Sequence, residues 1–261
     1  MESSDMKELI ERLQDIKMRG WIENGRHGNC GGVGNTLEDL LGVQENNLQL
    51  PDFGDWEIKS QRLETSSLTT LFHIEPLPRA AGVVPKLLLP QYGWLHEEAG
   101  TKYPVTERSF RQTINCNTRS DRGFMVQVER DAERLSVSFD AKKVSEKHKN
   151  WLKSVEERVG LAELNPKPYW EFSTLYSRIQ NKLQNCFYVQ AETKLENGKE
   201  YYRYVRFTIL LTVTIENFIK GLEQGAIYVD FDARTGHNHG TKFRIKQNAK
   251  ALLFNEIITI E

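Results

Sequence analysis

The sequence predicts a mixed α/β (α+β) fold in which helices and strands alternate around a sheet core. Three observations carry that prediction. Apolar residues recur at helical spacing near the N-terminus (Leu9, Ile10, Leu13, Ile16) and again at Leu175, Ile179 and Leu183. The stretch Ser67–Glu75, "SLTTLFHIE", is β-branched and alternating, as a half-buried strand should be. "CFYVQAETKLENGKEYYRYVRFTILLTV" places Asn197–Gly198 between two strand-like runs, a strong local signal for a hairpin. Elements of both kinds are interspersed and no internal repeat is present.

In chain order, a first helix is expected after the Ser3–Ser4–Asp5 cap. A glycine-rich connection follows, with Gly20, Gly25, Gly28, Gly31, Gly32 and Gly34. "NTLEDLLG" then reads as a short helix capped by Asn35 or Thr36 and stopped by Gly42. A strand is expected over Asp55–Arg62, with Ser67–Glu75 as its hairpin partner. Residues 76–120, rich in Pro and Gly, read as an excursion from the core. "GFMVQVER" and "RLSVSFDA" form a strand pair, followed by a helix around Lys147–Val159 and the helix carrying Leu175, Ile179 and Leu183. Beyond the Asn197–Gly198 hairpin, a helix near Glu216–Glu223 leads into "AIYVDFDARTGHNHGTKFRI", two short strands around a polar loop.

Composition narrows the function classes. With 261 residues, 39% hydrophobic and 27% charged, the chain has the make-up of a soluble globular protein of one large domain or two modest ones. No apolar run approaches the roughly 20 residues of a membrane span. The charged N-terminal helix is unlike a signal peptide, so a cytoplasmic location is expected. Cys30, Cys116 and Cys186 are odd in number and widely spaced, which suggests neither a disulfide framework nor a zinc site. Net charge is −1, from 35 Lys and Arg against 36 Asp and Glu, yet charge is unevenly spread. From Asp232 to Lys250 the acid Asp232 stands alone against Arg234, Lys242, Arg244, Lys246 and Lys250.

Two clusters of residues stand out. In "PDFGDWEIKS", Asp52, Glu57 and Lys59 fall within eight residues, where a core-packed strand should be apolar. Glu57 and Lys59 share one face of the strand while Ile58 points into the core, and Asp52 enters from the preceding bend. Two carboxylates and the Ile58 carbonyl suit a hard divalent cation such as Mg²⁺, and Lys59 would orient an attacking water. A surface strand with a local salt bridge has the same three residues, so the spacing alone leaves both readings open. Glu38, on the short helix upstream, could approach the same site or be a solvated helix residue.

"GNCGGVGNT" could be a phosphate loop, but it lacks the Lys–Ser/Thr pair and follows a helix. Its glycines are expected to allow close approach to a DNA phosphate or a hinge. The other cluster, "DARTGHNHGTKFR", packs Asp232, Arg234, His237, Asn238, His239, Lys242 and Arg244 into thirteen residues. Arg can donate twice to guanine and Asp can accept from the cytosine amino group, so this alternation suits base edges. A solvated polar loop is the other reading.

Together these residues resemble the MvaI/BcnI family of type II restriction endonucleases, a branch of the PD-(D/E)xK nucleases related to the mismatch-repair nickase MutH. The resemblance runs through "GNCGGVGNTLEDLLG", "NNLQLPDFGDWEIKSQR", "LTTLF", "QYG", "YWEFSTLYSRIQNKLQ", "YYRY" and "DARTGHNHGTKFRI", in that order. It implies a restriction-endonuclease-like core with a mixed central sheet and two lobes forming a DNA-binding cleft. The catalytic lobe is expected over residues 1–75 and 120–195 and the recognition lobe over 76–119 and 196–261. By the resemblance, Asp52, Glu57 and Lys59 are catalytic, Glu38 is the assisting acid, and one or two Mg²⁺ ions are held by Asp52, Glu57, Glu38 and the Ile58 carbonyl. Asp232, Arg234, His237, His239 and Arg244 are implied to read bases, with Lys242 among the DNA-binding residues. The implied activity is cleavage of double-stranded DNA at a short C/G-rich site of the CC-N-GG type by a monomer, with a DNA methyltransferase as its functional counterpart. A MutH-like nickase and a non-catalytic DNA-binding protein are the alternatives.

Overall fold

The computed structural model describes residues 4–25, 32–43 and 51–260. The described chain begins with α1 (Ser4–Met18), β1 (Ile22–Glu23), α2 (Gly32–Leu41), β2 (Glu57–Arg62) and β3 (Thr69–His73). Short 3₁₀ and π turns over Arg79–Leu88 lead to α3 (Leu89–Tyr92), β4 (Trp94–Leu95), β5 (Arg108–Ile114), β6 (Phe124–Glu129) and β7 (Arg134–Phe139). Next come α4 (Lys149–Val159), β8 (Tyr169–Glu171), α5 (Phe172–Lys182), β9 (Asn185–Glu196) and β10 (Lys199–Val213). The chain closes with α6 (Ile215–Glu223), β11 (Ile227–Arg234), β12 (His237–Ile245), α7 (Lys250–Leu253) and β13 (Phe254–Ile260).

Packing divides the chain into two units, Met1–Thr69 with Ser177–Thr214 and Lys250–Glu261, and Thr70–Tyr176 with Ile215–Ala249. In the first, a five-stranded sheet runs β1-β10-β9-β2, with β13 also pairing β10. The long hairpin β9–β10 turns on Asn197 (φ 52°) and Gly198 (φ 76°), both in the left-handed region that a tight two-residue turn requires. Strand β2 lies parallel to β9, with Glu57 opposite Cys186 and Lys59 opposite Tyr188. Helices α1 and α2 cover the sheet with Leu9, Leu13, Ile16, Val33, Leu37 and Leu41, packed with Ile58, Phe187, Val189 and Tyr204.

The second unit holds a five-stranded sheet, β3-β12-β11-β5-β4, and a three-stranded sheet, β6-β7-β8. Its core is aromatic, with Phe110, Phe124, Phe139 and Trp151 in mutual edge and tilted contact. The buried indoles are satisfied at their polar edge: Trp151 donates to the Tyr92 carbonyl at 3.0 Å and Trp170 to that of Ile74 at 3.1 Å.

Several expectations are met, among them the β6–β7 pair, the β9–β10 hairpin and α5 with Leu175 and Ile179 fully buried. Others are corrected. Ser67–Glu75 is not the partner of the charged strand: β3 sits in the other sheet beside β12, and β2 instead pairs with β9. Period-two alternation identifies a strand but not its neighbour. The units also part the chain elsewhere than expected. Residues 120–176 pack with 70–119, because β5, β6 and the aromatic side chains of α4 share one core, and 196–214 pack with the first unit because β10 completes the hairpin.

Helix α2 starts three residues earlier than expected, so Asn35 and Thr36 lie inside it rather than capping it. Two glycines in a helix cost about 1 kcal/mol each relative to alanine. Burying Val33, Leu37 and Leu41, worth about 1.5–3 kcal/mol apiece, outweighs that. Gly32 is there for closeness: a Cβ on it would meet the Tyr202 hydroxyl at 2.3 Å and Asn24 Nδ2 at 2.8 Å. The helical glycines Gly32 and Gly34 thus pack closely against the sheet; Gly28, Cys30 and Gly31, like the segment "NNLQL", lie outside the described residues. Gly32→Ala is expected to destabilise the protein by about 1–3 kcal/mol through overpacking, measured as a lower urea midpoint with unchanged slope. An unchanged midpoint would contradict the close approach.

Candidate functional site

The first charged cluster is built by the bend before β2. Phe53 and Trp56 exchange backbone hydrogen bonds at 2.9 and 2.8 Å, closing a tight loop over Gly54. Gly54 has φ 54°, and a Cβ there would lie 2.1 Å from the Asp5 carboxylate, so the turn tolerates no side chain. The loop turns Asp52 back onto the strand, where its Oδ2 accepts the Ile58 N–H at 2.8 Å. Ile58 itself is buried among the apolar residues, which sends Glu57 and Lys59 to the other face.

On that face Glu57 is only 9% exposed and held between two ammonium groups. Lys59 Nζ lies 3.2 Å from Oε1, and Lys182 Nζ, from the end of α5, donates to Oε2 at 2.8 Å. Burial, and then the neighbouring Glu57 charge, raise the Asp52 pKa above its ordinary value of 3.8. Burial pulls Lys59 down, but the charges of Glu57 and Asp52 outweigh it and its pKa is raised. Behind them Cys186 is buried, its thiol pushed up to about 12 mainly by desolvation, so it stays neutral. A polar cavity of about 310 Å³ opens beside Lys182, lined also by Pro51, Asp55, Asn181 and Asn185.

Asp52, Glu57 and Lys59 are thus brought together as the sequence implied. Glu38 lies on α2, one turn beyond Gly34, where a Cβ would be 3.1 Å from Ser60 Oγ and 3.9 Å from Glu38 Oε1. Among the described residues no three His, Cys, Asp or Glu side chains gather as metal ligands. Sequence reading missed Lys182. Its one signal was a cation immediately before Leu183, the last apolar position of the α5 stripe.

The second cluster lies on one face of the β5–β11–β12 sheet. Burial along β11 alternates strictly, with Ile227, Val229, Phe231 and Ala233 inward and Tyr228, Asp230, Asp232 and Arg234 outward. Asp232 pairs with Arg111 at 2.8 Å and Lys242 at 3.1 Å. Burial pushes its carboxyl up, but these cations prevail and its pKa is lowered. Asp230 accepts from Thr113 at 2.8 Å and from Arg244 at 3.1 Å. Arg234 pairs with Glu107 at 3.1 Å and lies over the Tyr103 ring. The His237 and His239 rings stand edge to face, centroids 4.3 Å apart, and burial lowers the His239 pKa although the Asp232 charge opposes it. The six charged and histidine residues singled out in the sequence therefore all fall on β11 and β12; Arg111, Thr113, Asp230 and Glu107 were not anticipated.

A raised pKa means that ionised Asp52 is less favourable in the folded chain than in the unfolded one. That penalty is absent below pH 3.8, where Asp52 is protonated in both states, and complete once pH has passed the raised folded value. In excess chelator, Asp52→Asn, which keeps an oxygen for the Ile58 N–H, is expected to melt above the parent at neutral pH, with the gain shrinking in acid. Thermal melts across pH test this, and a variant that melts lower at neutral pH refutes it.

Comparisons with known proteins identify the family and the fold. The model of the MvaI/BcnI restriction endonuclease family matches residues 10–254. The solved structure of restriction endonuclease MvaI in complex with its cognate DNA substrate is 28% identical, covers 99% of both chains and superposes with a TM-score of 0.80. MvaI in the absence of DNA is 27% identical, covers 99% of this chain and 98% of that one, and superposes with a TM-score of 0.54. No curated protein matches. The chain belongs to the MvaI/BcnI restriction endonuclease family.

Proposed function

We propose that this enzyme hydrolyses double-stranded DNA with Mg²⁺ at a short C/G-rich site of the CC-N-GG type, acting as a monomer. The convergence of Asp52, Glu57 and Lys59 on one end of β2 carries the reading. The match to MvaI, solved with its cognate DNA, supports DNA as substrate. The donor set fits a hard cation: two carboxylates near enough for one charge to raise the other's pKa, with the Ile58 carbonyl next to Glu57 in sequence. Asp52 and Glu57 would hold the ion, and when bound it supplies Lewis-acid polarisation and a more acidic water.

The chain's own residues do the rest. Lys59, kept charged by its carboxylate neighbours, orients the water and offsets the negative charge that grows on the phosphate. Lys182 grips the other oxygen of Glu57 and fixes the carboxylate's orientation. Glu38, from α2, assists as a further acid. The outward faces of β11 and β12 read bases through Asp232, Arg234, His237, His239, Lys242 and Arg244. Cleavage at a short site endangers the host's own DNA, so a methyltransferase of the same specificity is the functional counterpart.

Plasmid DNA with protein and Mg²⁺ is expected to give discrete linear fragments whose sequenced ends share one C/G-rich site. Asp52→Ala or excess chelator should abolish them. Relaxed circles that never become linear would instead show a nickase, and tight binding without cutting a non-catalytic protein. Lys182 lowers the Asp52 pKa, so Lys182→Met is expected to move the acid limb of the pH–rate profile to higher pH, with Lys182→Arg restoring it. An unmoved limb would deny Lys182 that positioning role.

A further inference from the structure

The outward face of β11 carries two repeated units, each spread over three strands. In one, Asp232 sits between Arg111 of β5 and Lys242 of β12; in the other, two residues along, Asp230 sits between Thr113 of β5 and Arg244 of β12. The register is the cause: β11 is hydrogen-bonded on both sides, with Asp232 opposite Arg111 and Asp230 opposite Thr113. The Arg111 side chain is 44% exposed, so its ion pair contributes little to stability and packing does not explain its place.

Resting on the DNA-cleaving reading, we propose that Arg111 is a specificity-determining residue that reads a C·G base pair together with Asp232. In the major groove such a pair offers one donor, the cytosine amino group, beside two acceptors, guanine O6 and N7. A carboxylate beside a guanidinium is the complement of that row: Asp232 accepts and Arg111 donates. Arg111 meets Asp232 through Nε at 2.8 Å. The Thr113–Asp230–Arg244 unit repeats the pattern after about 6.8 Å, two residues of strand and about two base-pair steps. Two such readers on one sheet face suit a site with C·G pairs on either side of a less constrained pair.

The test uses a library of duplexes randomised over the site, cut in Mg²⁺ and read by end-sequencing, with binding to the same library measured in chelator. Arg111→Ala is expected to relax preference at one C·G position, and its symmetry mate, by roughly 5- to 150-fold while the other positions stay selected. Arg111→Lys, which keeps the charge but not the fork, should restore affinity more than selectivity. Uniform weakening of all sequences with a shallower salt dependence would make Arg111 a phosphate contact and overturn the inference. So would an unchanged preference. If the parent protein shows no sequence preference in cutting or binding, the functional reading itself fails, and that outcome is distinct from a selective parent whose variant is equally selective.

Discussion

Glu57 clamped between Lys59 and Lys182 is the interaction on which the charged end of β2 depends. A carboxylate this buried is tolerated only when its charge is paired and its oxygens are bonded, and here each oxygen has its own ammonium. The two lysines come from elements distant in sequence, β2 and the end of α5. They meet because β2 lies parallel to β9, the strand that follows α5 directly, so one strand pairing fixes the whole site. Asp52 adds the opposite tension. Burial and the Glu57 charge both disfavour its ionised form, while the Ile58 N–H and the two lysines favour it. Asp52 is thus the member of the cluster whose charge is least well matched, a feature that a strand chosen for stability would avoid.

Legibility in the sequence followed the range of the forces involved. Local signals worked well. Turn chemistry at Asn197–Gly198 and the stripe at Leu175, Ile179 and Leu183 each depend on neighbours in the chain, and each was recovered. The polar loop expected over Asp232–Arg244, by contrast, is strand on both sides of a two-residue turn. Pairings between distant elements were not recovered. Nothing near Ser67–Glu75 says that it joins β12 instead of β2, and nothing near Gly32 says that the Tyr202 hydroxyl needs the space a methyl would fill. The start of α2 was misplaced for that reason: intrinsic propensity argued against helical glycines, and tertiary packing overrode it.

The same distinction separates the site residues. Asp52, Glu57 and Lys59 lie on eight consecutive positions, so strand geometry alone placed two of them on a common face. Lys182 and Arg111 reach their carboxylates across strand or helix contacts more than a hundred residues away, and a lone Lys or Arg in an amphipathic element has no sequence signature.

Each unit therefore solves a charge problem in its own way. In the first, two ammoniums share one buried carboxylate, and low exposure strengthens the attraction. In the second, acids and bases alternate on a partly exposed sheet face, with Arg111 the most open of them. Close pairing would suit the proposed chemistry, because a misplaced carboxylate or ammonium loses the alignment that hydrolysis needs. Exchangeable pairs would suit the proposed reading of DNA, because a base edge must compete with the partner already in place. A correct edge replaces or shares those bonds with little loss, and a wrong one leaves a charged group desolvated and unmatched. Selectivity then comes from the penalty of the wrong pair as much as from the gain of the right one.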